Sequence, residues 1–166
     1  MKKILLVLAS LIAISTVSAT VSAAQVEVKW TNPDKYRDIY AGDENRKVFR
    51  ERLFKSLDKH FAKLASKLPE KQVLKIDVKD VDLAGDVSFG SINRIRIVKD
   101  IYFPRFKFSY QLIDEKGKVI KSGKENLKDM NSLHTNNLRY KNESFGYEKR
   151  MIENWFNKTF KTRLSK

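Results

Sequence analysis

RIRIVKDIYFPRFKFSYQLID, from Arg94 to Asp114, is the stretch that decides the fold of this chain. Its second half alternates apolar and polar side chains, which is typical of a β-strand with one buried face. The apolar side is formed by Phe106, Phe108, Tyr110 and Leu112. We therefore expect this strand to lie at the centre of a sheet whose apolar face is covered by other elements.

A short link, Glu115 to Lys118, connects this strand to a second β-rich run from Val119 to Leu127. The glycine in the link and the two flanking runs predict an antiparallel hairpin. A single strand over the whole stretch 94–114 would be far longer than usual. We expect a break between Lys99 and Pro104, because proline cannot donate a hydrogen bond to a strand ladder.

Two amphipathic helices are predicted, one before Pro69 and one near the end of the chain. The first is expected to be capped by Asp43 or Asn45 and to end before Pro69, and the second to be capped by Ser144 or Asn142. Apolar side chains recur every three or four residues in both. The first carries Phe49, Leu53, Leu57 and Phe61, and the second carries Ile152, Trp155 and Phe156.

Two further strands are predicted, from Gln25 to Trp30 and from Gln72 to Leu83. The apolar parity of the second changes after Val78, which predicts a bulge near Lys79 and Asp80 that keeps the apolar residues on one face. The fold class we expect is α+β. It has a mostly antiparallel sheet of about five strands, with the two amphipathic helices on one face.

The first 24 residues resemble a secretory signal peptide. Lys2 and Lys3 precede an apolar run from Ile4 to Ile14, and small residues cluster at Val21 to Ala24. We expect cleavage there, export across the inner membrane to the periplasm, and a single domain over residues 25–166. The chain has no cysteine, so it can neither form a disulfide nor carry a lipid on a cysteine. Its stability must come from its core.

The formal net charge of +14 favours anionic partners. For an exported protein these are an anionic envelope polymer, lipid head groups or another envelope protein, and nucleic acid is a poor partner. Basic and aromatic residues interleave in the stretch that decides the fold, an arrangement that can hold a phosphate or carboxylate. The candidate anion-binding residues are Arg94, Arg96, Lys99 and Arg105. Against this, alternation makes most of those aromatics core residues.

Four runs resemble the signature stretches of a bacterial exported family known as domain of unknown function 3016. They are DVKDVDLAGDV at 77–87, IVKDIYFPRFKFSYQLID at 97–114, LKDMN at 127–131 and YEKRMIENWF at 147–156. The resemblance covers nearly the whole chain after the predicted signal peptide. It implies an exported bacterial protein, and it supplies no catalytic residues.

Nucleophilic catalysis finds little support. The chain has no cysteine, no G-x-S-x-G turn and no H-E-x-x-H helix, and its two histidines are His60 and His134. His134 lies in a polar stretch close in sequence to Asp129, and a histidine base needs such a neighbour to orient its ring. A hydrolase using this pair is the alternative to a non-enzymatic binding module, and we expect no cofactor.

A carboxylate cluster is the remaining candidate for chemistry. Asp80, Asp82 and Asp86, with Asp77 before them, lie at the end of a predicted strand and its turn. Calcium binds six or more oxygens, but the spacing matches no EF-hand loop. Alternate residues on a strand face the same way, so these carboxylates are better explained as an exposed strand face, and we expect no metal site.

Overall fold

The structure, a computed structural model, describes residues 24–88, 90, 93–134, 139–140 and 142–164. The predicted signal peptide therefore lies, except for Ala24, outside the described residues. The elements in chain order are β1 (Gln25–Trp30), α1 (Arg46–Ala65), β2 (Val73–Asp82), β3 (Asp86–Val87), β4 (Arg96–Ile97), β5 (Arg105–Ile113), β6 (Val119–Lys128) and α2 (Gly146–Phe160).

The main sheet has four strands in the order β1-β2-β5-β6, and a separate two-stranded sheet pairs β3 with β4. β1 lies parallel to β2, while β5 is antiparallel to both of its neighbours, β2 and β6. The expected α+β class is thus confirmed. The expected single sheet of about five strands is corrected, since the main sheet has four strands and is mixed. α1 is a crossover that returns the chain to the end where β1 began, which makes the pair parallel. The break before Pro104 leaves β4 to pair with β3 instead.

The hairpin, the break and the bulge are confirmed. β5 pairs with β6 through a tight turn in which Gly117 has a φ of 78°. In β2 the register shifts between Val78 and Asp80. Because of this bulge, Val81 lies on the same buried face as Val78, and the sheet keeps one apolar side.

α1 begins where the sequence predicts. The Asn45 side chain accepts hydrogen bonds from the backbone N–H groups of Lys47 and Val48. α2 does not: the expected caps Ser144 and Asn142 are wrong, since the residue before α2 is Phe145, which has a φ of 58° and makes no side-chain cap. Its ring instead packs edge-on against Phe49, 5.7 Å away, so apolar packing fixes the start of this helix.

Both helices pack on the same face of the main sheet. The ring centre of Phe61 in α1 lies 6.2 Å from that of Phe106, and the ring centre of Trp155 in α2 lies 4.7 Å from that of Phe108. Every residue of the two predicted apolar helix faces and of the β5 stripe is buried. The opposite face of the sheet is polar and open, with Lys75, Lys107, Gln111, Ser122 and Lys124 exposed. Among the described residues there is no helix long and apolar enough to cross a membrane.

Candidate functional site

The segment around β4 is held against the rest of the chain by backbone hydrogen bonds. The Arg94 carbonyl accepts from Asp43 N at 3.2 Å, and the Tyr102 carbonyl accepts from Gly85 N at 2.8 Å. Between them, β4 pairs with β3, and Ser88 N donates to the Ile95 carbonyl. These hydrogen bonds hold the segment 94–102 in a defined position on the surface of the protein.

Arg96 turns inward from this segment. Its guanidinium makes two bonds to the Asp38 carboxylate, at 2.7 and 3.0 Å, and donates to the carbonyl oxygens of Tyr40 and Gly85, both at 2.7 Å. A planar guanidinium suits such a set of acceptors. This predicted anion-binding residue therefore donates its hydrogen bonds to acceptors inside the protein and fastens β4 to the residues before α1.

The aliphatic neighbours of Arg96 turn outward. Of ten large hydrophobic side chains exposed among the described residues, seven lie in this segment and in the 130–133 turn. We call these seven the apolar rim, and the most exposed of them is Ile101, at 71%. They are Ile95, Ile97, Val98, Ile101, Tyr102, Met130 and Leu133. Clustered exposed apolar residues are unusual on a soluble surface and mark contact with a partner or a lipid phase.

One polar contact links the two parts of the rim. His134 Nε2 lies 3.1 Å from Asp100 Oδ1, with both side chains exposed. A backbone bond from Asp129 N to the Pro104 carbonyl, 3.2 Å long, ties the same two loops at their base. The rim therefore extends over two adjacent loops at one end of the main sheet.

The other predicted anion-binding residues are exposed to different degrees. The Arg94 side chain is mostly exposed, with Nε 3.9 Å from an Asp43 oxygen. Lys99 is exposed between the rim residues Val98 and Ile101. Arg105 lies 4.5 Å above the Phe103 ring, and its Nε is 3.7 Å from Asp82. Arg94 and Lys99 therefore provide cationic groups on the segment that carries most of the rim.

A cavity of about 570 Å³ opens beside the rim, between the N-terminal halves of α1 and α2. Val98 and Leu133 belong both to the rim and to the cavity wall. The rest of the apolar lining includes Leu83, Phe49 and Phe145. The size is within the range of about 300–1,000 Å³ typical of small-molecule sites.

The cavity also has charged walls. Glu148, in the first turn of α2, is buried, and its Oε1 accepts a hydrogen bond of 2.7 Å from Ala84 N. Burial raises the pKa of Glu148 above its ordinary range, because the carboxylate loses hydration. Arg52 lies at a more exposed part of the lining, 2.5 Å from Glu44 and over the Phe49 ring.

Comparison with known proteins decides the family. Residues 24–158 match the family described as Protein of unknown function (DUF3016). The chain belongs to this family. The resemblance based on the four sequence runs is thereby confirmed. No curated protein and no solved structure matches the chain.

In this DUF3016 chain the predicted catalytic residues have separate partners. The Asp129 carboxylate accepts a 2.6 Å hydrogen bond from Arg150, which also donates to the Ser132 carbonyl. The partner of the His134 ring is Asp100, as described above. The hydrolase hypothesis stays a prediction.

The carboxylate cluster of the DUF3016 chain is also divided. Asp80 accepts a hydrogen bond from Arg37 N, Asp82 faces the Arg37 and Arg105 side chains, and Asp86 accepts from Val87 N. The Asp77 carboxylate accepts hydrogen bonds from the side chains of Thr31 and Lys79. Within the described parts of the chain, no three His, Asp or Glu side chains are grouped so that they could hold a metal ion.

Sequence reasoning missed the cavity and its buried carboxylate. One signal was present, since Glu148 lies four and seven positions before Ile152 and Trp155 and therefore on the same helical face. A charged residue on an otherwise apolar face indicates a buried polar contact or a site. The rim carried no comparable signal, because alternating apolar residues in RIRIV are equally typical of a buried strand.

Proposed function

We propose that this is an exported, non-enzymatic binding module of the cell envelope that docks on anionic lipid surfaces through the apolar rim. The observation that carries the proposal is the exposure of seven large hydrophobic side chains on two adjacent loops. The signal-peptide pattern and the net charge of +14 are consistent with such a role.

A lipid surface fits the rim better than the other anionic partners do. Aliphatic side chains enter the boundary between head groups and acyl chains, while neighbouring lysines and arginines contact the phosphates. Lys99 and Arg94 are suitably located for the second role. A polysaccharide offers no apolar phase for Ile101, and the core of a protein interface is usually depleted of lysine.

The expected attachment is weak and reversible. Fully burying one isoleucine side chain contributes about 1.5–3 kcal/mol, and each basic residue near an anionic membrane adds about 1 kcal/mol. Few rim side chains can enter the lipid at once, so neither contribution alone should hold the protein. Docking should therefore require both apolar contact and an anionic lipid.

Co-sedimentation with vesicles tests the proposal. The protein should pellet with vesicles containing phosphatidylglycerol and much less with neutral phosphatidylcholine vesicles. Ile101→Asp should abolish pelleting, because a charge cannot enter the apolar layer without large cost. The matched control is Val119→Asp, which changes an exposed side chain at the hairpin end of β6. β5 separates the two ends by roughly 30 Å.

The outcomes separate the possible partners. Loss of pelleting in Ile101→Asp alone supports lipid docking. Equal loss in both variants, or no pelleting of the unmodified protein, contradicts it. If the unmodified protein instead forms a dimer that Ile101→Asp dissociates, and does not pellet, the rim is an interface between two copies.

A further inference from the structure

From the cavity beside the apolar rim, we infer that the protein holds a single amphiphile whose aliphatic chain lies in the cavity and whose acidic head group meets Arg52. The inference rests on the proposed lipid docking for the source of such a ligand.

The apolar part of the lining suits a hydrocarbon chain. Phe49 and Phe145 pack edge-on to each other, and the buried side chain of Leu83 also lines the cavity. Displacing water from such a wall is favourable by about 25 cal/mol per Å² of apolar surface removed from water. Val98 and Leu133 make the wall continuous with the rim. A chain leaving a lipid layer would therefore remain in apolar contact.

The charges of the lining give the ligand a direction. Glu148 is buried, so an acidic head group placed beside it would meet a like or protonated carboxyl without water. Arg52 has 49% of its side chain exposed, and its present partner is the similarly accessible Glu44. Exposed ion pairs contribute only about 0–1 kcal/mol, so a ligand carboxylate or phosphate can replace Glu44 at low cost.

The Arg52 guanidinium is also well held. It lies 5.2 Å from the centre of the Phe49 ring and 5.7 Å from that of Phe145. Cation–π contact with two rings restricts its position, and its exposed N–H groups can donate to a planar acid group. The same two rings border the apolar cavity, which brings head-group recognition and chain binding together.

Calorimetric titration of the purified protein with decanoate tests the inference. We expect saturable 1:1 binding below the micellar concentration. Arg52→Gln should weaken decanoate binding at least fivefold and leave binding of the uncharged 1-decanol unchanged. Lys55→Gln, three positions along α1 and outside the cavity lining, is the matched control and should bind both as the unmodified protein does.

The location is tested by filling the cavity mouth. Leu133→Trp should weaken decanoate and decanol binding at least tenfold, and Val98→Trp is a second variant in case the first does not fold. Amide chemical-shift changes on adding decanoate should centre on Leu133 and Phe145. Shifts centred on the open sheet face at Lys107 and Lys124 would overturn the assignment, as would absence of binding.

Failure of this inference is distinguishable from failure of lipid docking. Ile101→Asp lies in the rim but outside the cavity lining, so it should lose vesicle pelleting and keep decanoate binding. Fluorescent fatty acid offered in vesicles and as free monomer then identifies the source. Transfer from vesicles that Ile101→Asp slows, with uptake of monomer unchanged, indicates a membrane source. Equal uptake from vesicles and from free monomer contradicts a membrane source for the ligand.

Discussion

The guanidinium of Arg96 and the carboxylate of Asp38 form a bidentate ion pair, with Nη1–Oδ2 and Nη2–Oδ1 distances of 3.0 and 2.7 Å. Both side chains are only 17% exposed. The pair joins β4 to a segment 58 residues earlier. It therefore fixes the loop that presents the apolar rim, and the arginine acts within the protein rather than toward a ligand.

Replacing Arg96 with methionine should destabilise the protein by about 3–5 kcal/mol, because it leaves the Asp38 carboxylate partly buried without its partner. Urea unfolding measures the change. Arg37→Met is the control, since Arg37 is mostly exposed and contacts Asp82 at 3.5 Å. It should cost less than about 1 kcal/mol. Equal costs would mean that the Arg96–Asp38 pair has no structural importance.

Gly42 and Gly117 have similar positive φ values, 82° and 78°, and can be compared as sites for alanine substitution. A Cβ on Gly42 would overlap the Arg94 carbonyl oxygen, whereas nothing lies within 4 Å of a Cβ on Gly117. Gly117→Ala should cost about 1–2 kcal/mol, from left-handed strain alone. Gly42→Ala should cost clearly more and should also weaken vesicle docking, since it displaces the rim segment. Similar melting temperatures for the two variants would argue against this packing.

His60 makes stability depend on pH. It is buried in α1, its Nε2 lies 2.9 Å from the Lys149 carbonyl, and burial lowers its pKa to about 4. The unfolded chain therefore binds more protons between pH 4 and 6.5, so stability is lost as the pH falls through this range. The loss should approach about 3 kcal/mol.

Urea unfolding at a series of pH values measures this effect. His60→Gln should remove most of the acid-induced loss between pH 6.5 and 4. His134→Gln is the control, because the His134 side chain is 70% exposed and should leave the loss as it is in the unmodified protein. An unchanged pH dependence in His60→Gln would mean that other groups cause it.

The main sheet and helices followed from local patterns in the sequence. Alternation over 106–112, the parity change after Val78 and the stripe from Phe49 to Phe61 each depend on near neighbours. The parallel pairing of β1 with β2 did not follow, because strand pairing is a long-range choice made by the crossover helix. The start of α2 was misplaced because Phe145 packs on Phe49, a residue of another helix.

The segment that forms the candidate site could be predicted from the sequence, but the orientation of its side chains could not. Alternation placed Arg94 and Arg96 on one outward face, yet β4 is only two residues long and Arg96 is turned inward by acceptors from residues 38–40 and 85. No local pattern encodes such distant acceptors. The exposure of Ile101 depends in the same way on the absence of any covering element among the described residues.

The contribution of charge to docking is tested by reversing two pairs of cations. Arg94 and Lys99 changed to Glu should weaken binding to anionic vesicles by roughly tenfold or more, since each basic residue near the surface contributes about 1 kcal/mol. Lys55 and Lys59 on α1, changed in the same way, give an equal change of net charge and should have a much smaller effect. Equal losses would mean that net charge alone drives association.

Site-specific fluorescence tests lipid docking most directly. The chain has no cysteine, so the variant Ile101→Cys can carry a single environment-sensitive dye, with Val119→Cys as the matched control. On adding vesicles that contain phosphatidylglycerol, the dye at 101 should shift to the blue and be quenched by acyl-chain spin labels. The dye at 119 should do neither. An unchanged spectrum at 101, or equal changes at both positions, would contradict docking through the apolar rim.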